Sequence, residues 1–216
     1  MIKCVIFDMD GTLADTMPLC NAAFCQAVKE VTGRVLTEKE ITDAFGVSEA
    51  GVIKKLAPEN PEKGLSLYLK YYKKWHSQMC PGLFEGIPKL LDWLEKQHIM
   101  AAIVTGKGKA SLEISLKILQ CENRFVHIET GNPEYADKPE GIERTRKILG
   151  VKPRETVYTG DMISDILSAK KASVLSVFAG WASGTEIEKA YEYQPDFAAE
   201  TVDQFMEWLK LQIKKS

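Results

Sequence analysis

Short apolar runs that stop at glycine or polar residues recur along this chain, and they constrain its fold more than any other feature. The first run, residues 4–7, is continuously apolar, as expected for a strand buried on both faces of a sheet. Similar runs follow at residues 99–104, 125–129, 156–159 and 174–178. Helical segments separate these later runs. Alternating strands and helices predict an α/β fold, with a parallel sheet covered by helices on both faces.

A helical block interrupts this alternation after the first strand. Residues 15–82 contain helical apolar stripes but no strand-like run, and Thr37 followed by Glu40 is the pattern of a capping box. We therefore predict a helical domain at residues 15–82, inserted into an α/β core domain formed by residues 1–14 and 83–216.

Two aspartates, Asp8 and Asp10, directly follow the first apolar run. On a regular strand such residues project to the same face, only about 7 Å apart. Like charges that close favour protonation of one group or binding of a cation. Gly11 ends the run, so both acids are expected at the carboxyl edge of the sheet, where open parallel sheets place ligands. Two acids in an ordinary surface loop are the alternative, which the apolar lead-in disfavours.

Other polar groups follow the later strands. They are Thr105 with Gly106, Lys138, and Asp161 with Asp165. In a parallel sheet all of them lie at one edge, together with the first two aspartates. Carboxylates are the hard oxygen ligands that Mg²⁺ prefers, a lysine suits a phosphate, and a glycine lets backbone N–H groups approach an anion. The set predicts phosphoryl-transfer chemistry with Mg²⁺ as cofactor.

In this order and spacing the four groups resemble the motifs of the haloacid dehalogenase superfamily, whose members include aspartate-nucleophile phosphohydrolases. The first motif, DxDGT, is complete from Asp8 to Thr12. The resemblance covers essentially the whole chain. It implies a Rossmann-like core with an inserted α-helical cap domain, as in phosphoglycolate phosphatases and beta-phosphoglucomutases.

The resemblance also implies a division of labour between the first two acids. Asp8 would be the nucleophile that forms an aspartyl-phosphate. Asp10 would protonate the leaving oxygen and then activate water, with its carboxyl free to carry a proton. The dehalogenase branch lacks a second aspartate at this position, so Asp10 favours phosphate chemistry.

The remaining motif residues would hold the metal and the phosphoryl group. The resemblance implies that Mg²⁺ is bound by the Asp8 carboxylate, the Asp10 carbonyl oxygen and Asp161, with Asp165 as a ligand or a supporting group. Thr105 and Lys138 would hold the transferring phosphoryl group, and Gly106 would offer its backbone N–H beside them.

The predicted function is therefore a Mg²⁺-dependent phosphatase of small phosphorylated metabolites. A phosphomutase is one alternative. Against it, Phe45 and Glu49 stand where the cap loop of beta-phosphoglucomutases carries basic residues. A catalytically silent binding protein is the other alternative, although such proteins usually lack a motif residue and none is missing here. The substrate stays open among phosphoglycolate, sugar phosphates, nucleotides and pyrophosphate.

Composition limits the partners and the location. The net charge of −2 offers no overall attraction to nucleic acid or an anionic membrane, and no apolar run approaches the length of a membrane span. The five cysteines form no CxxC pair, which predicts free thiols. With no signal-peptide pattern, we expect a cytoplasmic protein, and monomer or homodimer stays open. Aromatic residues and lysines alternate over residues 68–75, which predicts an amphipathic helix or, alternatively, a partner surface. Residues 214–216 are expected to form a solvated tail.

Overall fold

A computed structural model describes residues 1–214, so Lys215 and Ser216 of the expected tail lie outside the described residues. Six strands form the sheet: β1 (Cys4–Phe7), β2 (Met100–Val104), β3 (His127–Glu129), β4 (Thr156–Gly160), β5 (Leu175–Ala179) and β6 (Phe197–Ala199). Every pairing is parallel, and the strand order is β3-β2-β1-β4-β5-β6. The predicted α/β fold class is confirmed.

Ten α-helices lie within the described residues: α1 (Met17–Thr32), α2 (Glu38–Ala44), α3 (Glu49–Leu56), α4 (Pro61–Met79), α5 (Ile87–Lys96), α6 (Lys109–Ile118), α7 (Lys138–Ile148), α8 (Ile163–Lys171), α9 (Ile187–Glu192) and α10 (Val202–Lys214). The five predicted strands are found within two residues of their expected ends. The sequence prediction missed α9 and β6, because a six-residue helix and a three-residue Phe-Ala-Ala strand carry too few residues to show a period.

The central position of β1 determines where the polar loops meet. All four of its residues are fully buried, and Cys4 pairs with Met100 on one side and with Thr156 on the other. Side chains of β1 alternate between the two faces. Val5 and Phe7 pack among α5, α6 and α10, and Ile6 packs against α7 and α8. Since the strand order reverses beside β1, the crevice at its carboxyl end is the expected ligand site of this topology.

Helices α1–α4, here called the helical unit, bury a hydrophobic cluster of their own. At its centre the rings of Phe24 and Tyr68 stack with centroids 4.3 Å apart. The predicted capping box of Thr37 and Glu40 is present at the start of α2. Ser48 occupies the N-cap position of α3 but its side chain makes no capping hydrogen bond. The buried members of this cluster all come from residues 19–72, and Ile114 of α6 packs against them.

Helix α4 is amphipathic, as predicted for its aromatic and basic residues. Tyr68 and Tyr72 are fully buried, whereas Lys70, Lys73 and Lys74 are exposed. The hydroxyl of Tyr72 lies 2.7 Å from the Ser115 hydroxyl, which docks α4 on α6.

All five cysteines are free thiols, which confirms that prediction. Within the described part of the chain, no helix combines the length and the apolar character that crossing a bilayer requires.

Candidate active site

The loops at the carboxyl edge of the sheet bring the predicted phosphate and metal residues together. Asp8 directly follows β1, and its Oδ2 accepts a hydrogen bond from Lys138 Nζ at 2.8 Å. The same ammonium group donates to Asp165 Oδ1 at 2.6 Å. The backbone N–H of Met9 donates to Asp8 Oδ1 at 2.7 Å. Burial raises the pKa of Asp8, and Thr105, which is buried beside it, partly offsets this rise, as Lys138 does.

Three carboxylates converge here with a single lysine between them. One oxygen from each of Asp8, Asp161 and Asp165 lies within 4.8 Å of the others. Burial, reinforced by Asp165 and Asp8, raises the pKa of Asp161 to about 8. Burial also raises the pKa of Asp8, with Lys138 opposing the change. If all three acids are ionised, the cluster carries more negative charge than Lys138 alone neutralises, and a bound cation would offset that charge. An all-oxygen cluster with such an excess fits a hard cation such as Mg²⁺.

Lys138 and Asp165 are held in place by further contacts. Burial works against the charge of Lys138, but Asp165 and Asp8 raise the pKa of its ammonium group above the usual value. Asp165 accepts hydrogen bonds from the Tyr158 hydroxyl at 3.1 Å and from the Met162 N–H at 3.0 Å. Its carboxylate is thus oriented by the start of α8 and by β4.

The glycine after the two aspartates has a structural reason. Gly11 has a positive φ of 74°, and a Cβ there would lie 2.2 Å from Asp161 Oδ2. The next residue, Thr12, donates from its hydroxyl to Asp161 Oδ1 at 3.2 Å. The Gly-Thr pair of the first motif therefore allows Asp161 to approach β1 and then orients it.

Asp10 lies apart from the acidic cluster, toward the helical unit. Its Oδ1 accepts hydrogen bonds from the Thr16 hydroxyl and, at 2.9 Å, from Lys107 Nζ. The Cys20 thiol lies 3.9 Å from the same oxygen. The Asp10 carboxyl is therefore engaged through Oδ1 rather than wholly free. Its Oδ2 accepts no hydrogen bond within residues 1–214.

Lys107 is a site residue to which the sequence reasoning gave no role. Its side chain is 0% exposed, and Nζ lies 2.9 Å from Asp10 and 3.6 Å from Glu49. Burial disfavours the charged form, but Asp10 raises the pKa of Lys107 well above its usual value. The ammonium group also sits 4.5 Å from the centroid of the Tyr72 ring. The available signal was its place directly after Thr105 and Gly106.

Glu49 connects the helical unit to the sheet domain. It opens α3, yet its Oε2 accepts from the Gly108 N–H and its Oε1 from the Ser111 hydroxyl, both at the start of α6. A residue of one helix thus serves as the N-terminal cap of another, where a negative charge is also favoured. Sequence reasoning noted Glu49 only as a departure from mutases.

Two backbone contacts also join the helical unit to the sheet domain. The Ser48 N–H donates to the Asn132 carbonyl at 2.9 Å. A Cβ at Gly51 would lie 2.1 Å from the Pro133 carbonyl oxygen, so α3 approaches the loop before α7 closely. Beside them, exposed Lys54 pairs with Glu134 at 3.1 Å.

A cavity of 290 Å³ lies between the polar edge and the helical unit. Its polar side includes Asp8, Asp10, Asp161, Lys107 and Lys138 together with Thr105 and Gly106. Its other side is apolar and is formed by residues of the helical unit: Met17, Phe24, Phe45, Val47, Val52 and Tyr68. Six of the seven predicted site residues line this cavity, and Asp165 lies behind them.

Comparison with known proteins identifies the family and the fold of this chain. Residues 5–179 match the family model described as haloacid dehalogenase-like hydrolase. A similar protein is the pyrophosphatase PpaX of Halalkalibacterium halodurans, 27% identical, with 95% of this chain and 96% of the relative covered. Among solved structures, the haloacid dehalogenase-like hydrolase SP0104 of Streptococcus pneumoniae superposes with a TM-score of 0.77 at 24% identity, covering 96% and 98% of the two chains. CbbY of Rhodobacter sphaeroides, solved in complex with phosphate, superposes with a TM-score of 0.77 at 19% identity, covering 94% and 95%. The chain belongs to the haloacid dehalogenase-like hydrolase family, as its four motifs indicated.

Proposed function

We propose that this protein is a Mg²⁺-dependent phosphatase that hydrolyses small phosphate monoesters, with Asp8 as the nucleophile. One observation carries the proposal. The Asp8 carboxylate lies at the cavity, 2.8 Å from Lys138, and shares a 4.8 Å cluster with Asp161 and Asp165. A nucleophile, a lysine for the phosphoryl oxygens and oxygen ligands for a cation thus surround one point.

The acidic cluster is the proposed metal site. Asp8, Asp161 and the Asp10 carbonyl oxygen would hold Mg²⁺, and Asp165 would bind or support it. A bound Mg²⁺ would stabilise the negative charge that gathers on the phosphoryl oxygens. Lys138, Thr105 and the Gly106 N–H would orient the phosphoryl group toward Asp8.

Asp8 and Asp10 would share the chemical steps. A carboxylate oxygen of Asp8 attacks phosphorus, the bond from phosphorus to the leaving oxygen breaks, and Asp10 donates a proton to that oxygen. Asp10 then takes a proton from the water that attacks the aspartyl-phosphate, which releases phosphate and restores Asp8. Because Thr16 and Lys107 both donate to Oδ1 of Asp10, the transferred proton would sit on Oδ2.

We also propose that residues 15–82 form a cap domain over a core domain of residues 1–14 and 83–216. The hydrophobic cluster buried by the helical unit and its polar contacts with the start of α6 support this division. Such a cap would exclude water from the cavity during phosphoryl transfer.

The alternatives have less support. A mutase acting on a bisphosphate needs a cation for the second phosphate, but Phe45 and Glu49 line the cavity on the cap side. A silent binding protein is disfavoured because every motif residue is present. Similar proteins are named pyrophosphatases, so pyrophosphate is a further candidate substrate. It is compared with other substrates in the experiments below.

Phosphate release from 4-nitrophenyl phosphate tests the proposal. With Mg²⁺ the unsubstituted protein should hydrolyse the ester. Asp8→Asn or an excess of EDTA should reduce phosphate release to background, and added Mg²⁺ should reverse the effect of EDTA. Asp15→Asn is the matched control, because this exposed aspartate lies seven residues further on, outside the cluster. Full activity of Asp8→Asn would reject the proposed nucleophile, and full activity in EDTA would reject the metal.

A further inference from the structure

We propose that the leaving group of the natural substrate is an uncharged, largely apolar alcohol of about the size of one ring, carrying one hydrogen-bonding group. This inference rests on the proposed phosphatase function and adds the chemistry of the part of the substrate that faces the helical unit. It opposes a second phosphate or a carboxylate at that end, and hence both pyrophosphate and phosphoglycolate.

The first support is the size and the apolar wall of the cavity. A volume of 290 Å³ is at the lower end of the range of about 300–1,000 Å³ for ligand pockets. Phe24 and Val52 on this wall are almost fully buried in the cluster of the helical unit. The ring centroids of Phe24 and Phe45 lie 6.3 Å apart. A charged tail against this packed surface would lose water without gaining a partner.

The second support is the distribution of charge. Five carboxylates line the cavity, from Asp8, Asp10, Glu49, Asp137 and Asp161, against two lysines. Both lysines are already paired: Lys107 with Asp10 and Glu49, and Lys138 with Asp8 and Asp165. Within residues 1–214, no other lysine or arginine lines this cavity. An anionic leaving group would therefore meet Glu49 and no unpaired cation.

The third support is a buried hydroxyl without an oxygen or nitrogen partner. Tyr68 is 0% exposed and lines the cavity, and its hydroxyl makes no hydrogen bond to an oxygen or nitrogen atom of the described chain. Its neighbour is the Cys20 thiol, which is only a weak hydrogen-bonding partner. In contrast, the hydroxyl of Tyr72, one turn later, contacts Ser115. A buried hydroxyl without a strong partner is costly, so a hydroxyl or carbonyl on the substrate is the fitting partner for Tyr68.

A set of synthetic phosphate esters tests whether the preferred leaving group is uncharged. We expect kcat/KM for benzyl phosphate to exceed that for 4-carboxybenzyl phosphate, phosphoglycolate and pyrophosphate by about tenfold or more, since a factor of ten needs only a small desolvation penalty. If 4-nitrophenyl phosphate is hydrolysed but an anionic compound equals or exceeds benzyl phosphate, the inference is overturned and the proposed phosphatase function stands.

A binding measurement separates the inference from catalysis. Asp8→Asn would be titrated with benzyl phosphate and with 4-carboxybenzyl phosphate by calorimetry in the presence of Mg²⁺. A Kd about tenfold lower for benzyl phosphate supports the inference even if turnover is absent. Equal affinities, or tighter binding of the carboxylate, overturn it. Val47→Lys, at a half-buried wall position, should shift the preference toward 4-carboxybenzyl phosphate, and an unchanged preference would count against the wall as the selective element.

The hydrogen-bonding group is tested at Tyr68. The three isomers of (hydroxymethyl)benzyl phosphate would be compared with benzyl phosphate. We expect at least one isomer to be preferred several-fold by the natural sequence and by Tyr71→Phe, whose hydroxyl contacts Glu30 outside the cavity. Tyr68→Phe should abolish that preference, so that in this variant the kcat/KM values of the preferred isomer and of benzyl phosphate lie within about twofold of each other. This part of the inference is overturned if the preference survives in Tyr68→Phe, or if no isomer is preferred over benzyl phosphate.

Discussion

Asp8 and Asp10 are separated by one residue, yet the fold gives them different surroundings. Asp8 shares Lys138 with Asp165 inside the acidic cluster. Asp10 is paired with Lys107 on the side of the helical unit. The proposed nucleophile and the proposed proton carrier need different environments, and the two lysines supply them separately.

The role proposed for Asp10 predicts an effect that depends on the leaving group. Asp10→Asn removes the proton that an alkyl alkoxide requires, whereas 4-nitrophenolate leaves without one. We expect kcat/KM for benzyl phosphate to fall by about 10²–10⁴-fold and kcat/KM for 4-nitrophenyl phosphate to fall much less. The comparison uses kcat/KM because this quantity excludes the later water step, in which Asp10 would serve both esters alike. Steady-state kinetics on both esters measures the difference. Equal losses would contradict the acid role.

Lys107 is predicted to be a stability residue as well as a neighbour of Asp10. Lys107→Met leaves the partly buried Asp10 and Glu49 facing each other without a cation, which should lower the free energy of unfolding by about 3 kcal/mol. Urea denaturation measures this loss. The control is Lys109→Met, whose exposed side chain pairs with Glu113 at 3.9 Å and should change stability by less than about 1 kcal/mol. Equal stability of the two variants would show that Lys107 does not compensate the acids.

At the scale of elements, the start of α3 is where the helical unit meets the sheet domain. Glu49 caps α6, and the backbone of Gly51 lies against the Pro133 carbonyl. This contact explains a glycine inside a helix, a position where glycine is otherwise unfavourable by about 1 kcal/mol relative to alanine. Only a residue without a Cβ allows α3 to reach the loop before α7.

Gly51→Ala is expected to separate helix stability from closure. The added methyl group favours α3 by itself, but it would lie 2.1 Å from the Pro133 carbonyl oxygen and so hold α3 away from its seat. We expect kcat/KM to fall by about tenfold, mainly through KM, while the thermal unfolding midpoint changes little. Gly82→Ala is the control, since a Cβ there has no atom within 4 Å. Unchanged kinetics in Gly51→Ala would show that the close contact between α3 and Pro133 does not govern activity.

Local patterns and long-range contacts differ in what sequence can predict about them. The acids after β1 and β4, Lys138 and the Thr37 capping box were predictable because each depends on a strand end or a single helix turn. The roles of Lys107 and Glu49 depend on how the helical unit lies on α6. Glu49 and its partner Gly108 are 59 residues apart in the sequence. No local period reports such a contact, so the sequence pattern predicts a site at the sheet edge but not the contacts that the helical unit makes there.

At the scale of the whole molecule, stability in acid is predicted from one pair below the sheet. Glu155 receives hydrogen bonds from the Lys3 ammonium and the Lys152 N–H, which lower its pKa from the usual 4.5 to about 2. A lowered pKa in the folded state stabilises the fold above pH 4.5, and this contribution disappears as the pH falls toward 2.

Thermal unfolding of Glu155→Gln across pH tests this effect. The variant should have a lower midpoint than the natural sequence at pH 7, and the difference should shrink as the pH falls from about 5 to about 2. Glu59→Gln, at an exposed position, should show a small difference at every pH. A difference in Glu155→Gln that stays constant over this range would contradict the lowered pKa.

The hydrogen bonds from Gly108 and Ser111 to Glu49 have a kinetic consequence if residues 15–82 move as a cap. They form between parts of the protein itself, so the closed arrangement is favoured before any substrate arrives. Molecules of substrate would then enter only during brief openings. The association rate constant should then be the diffusional value multiplied by the fraction of time that the cavity is open. Weaker hydrogen bonds to Glu49 should speed substrate association, but they should also admit more water to the cavity.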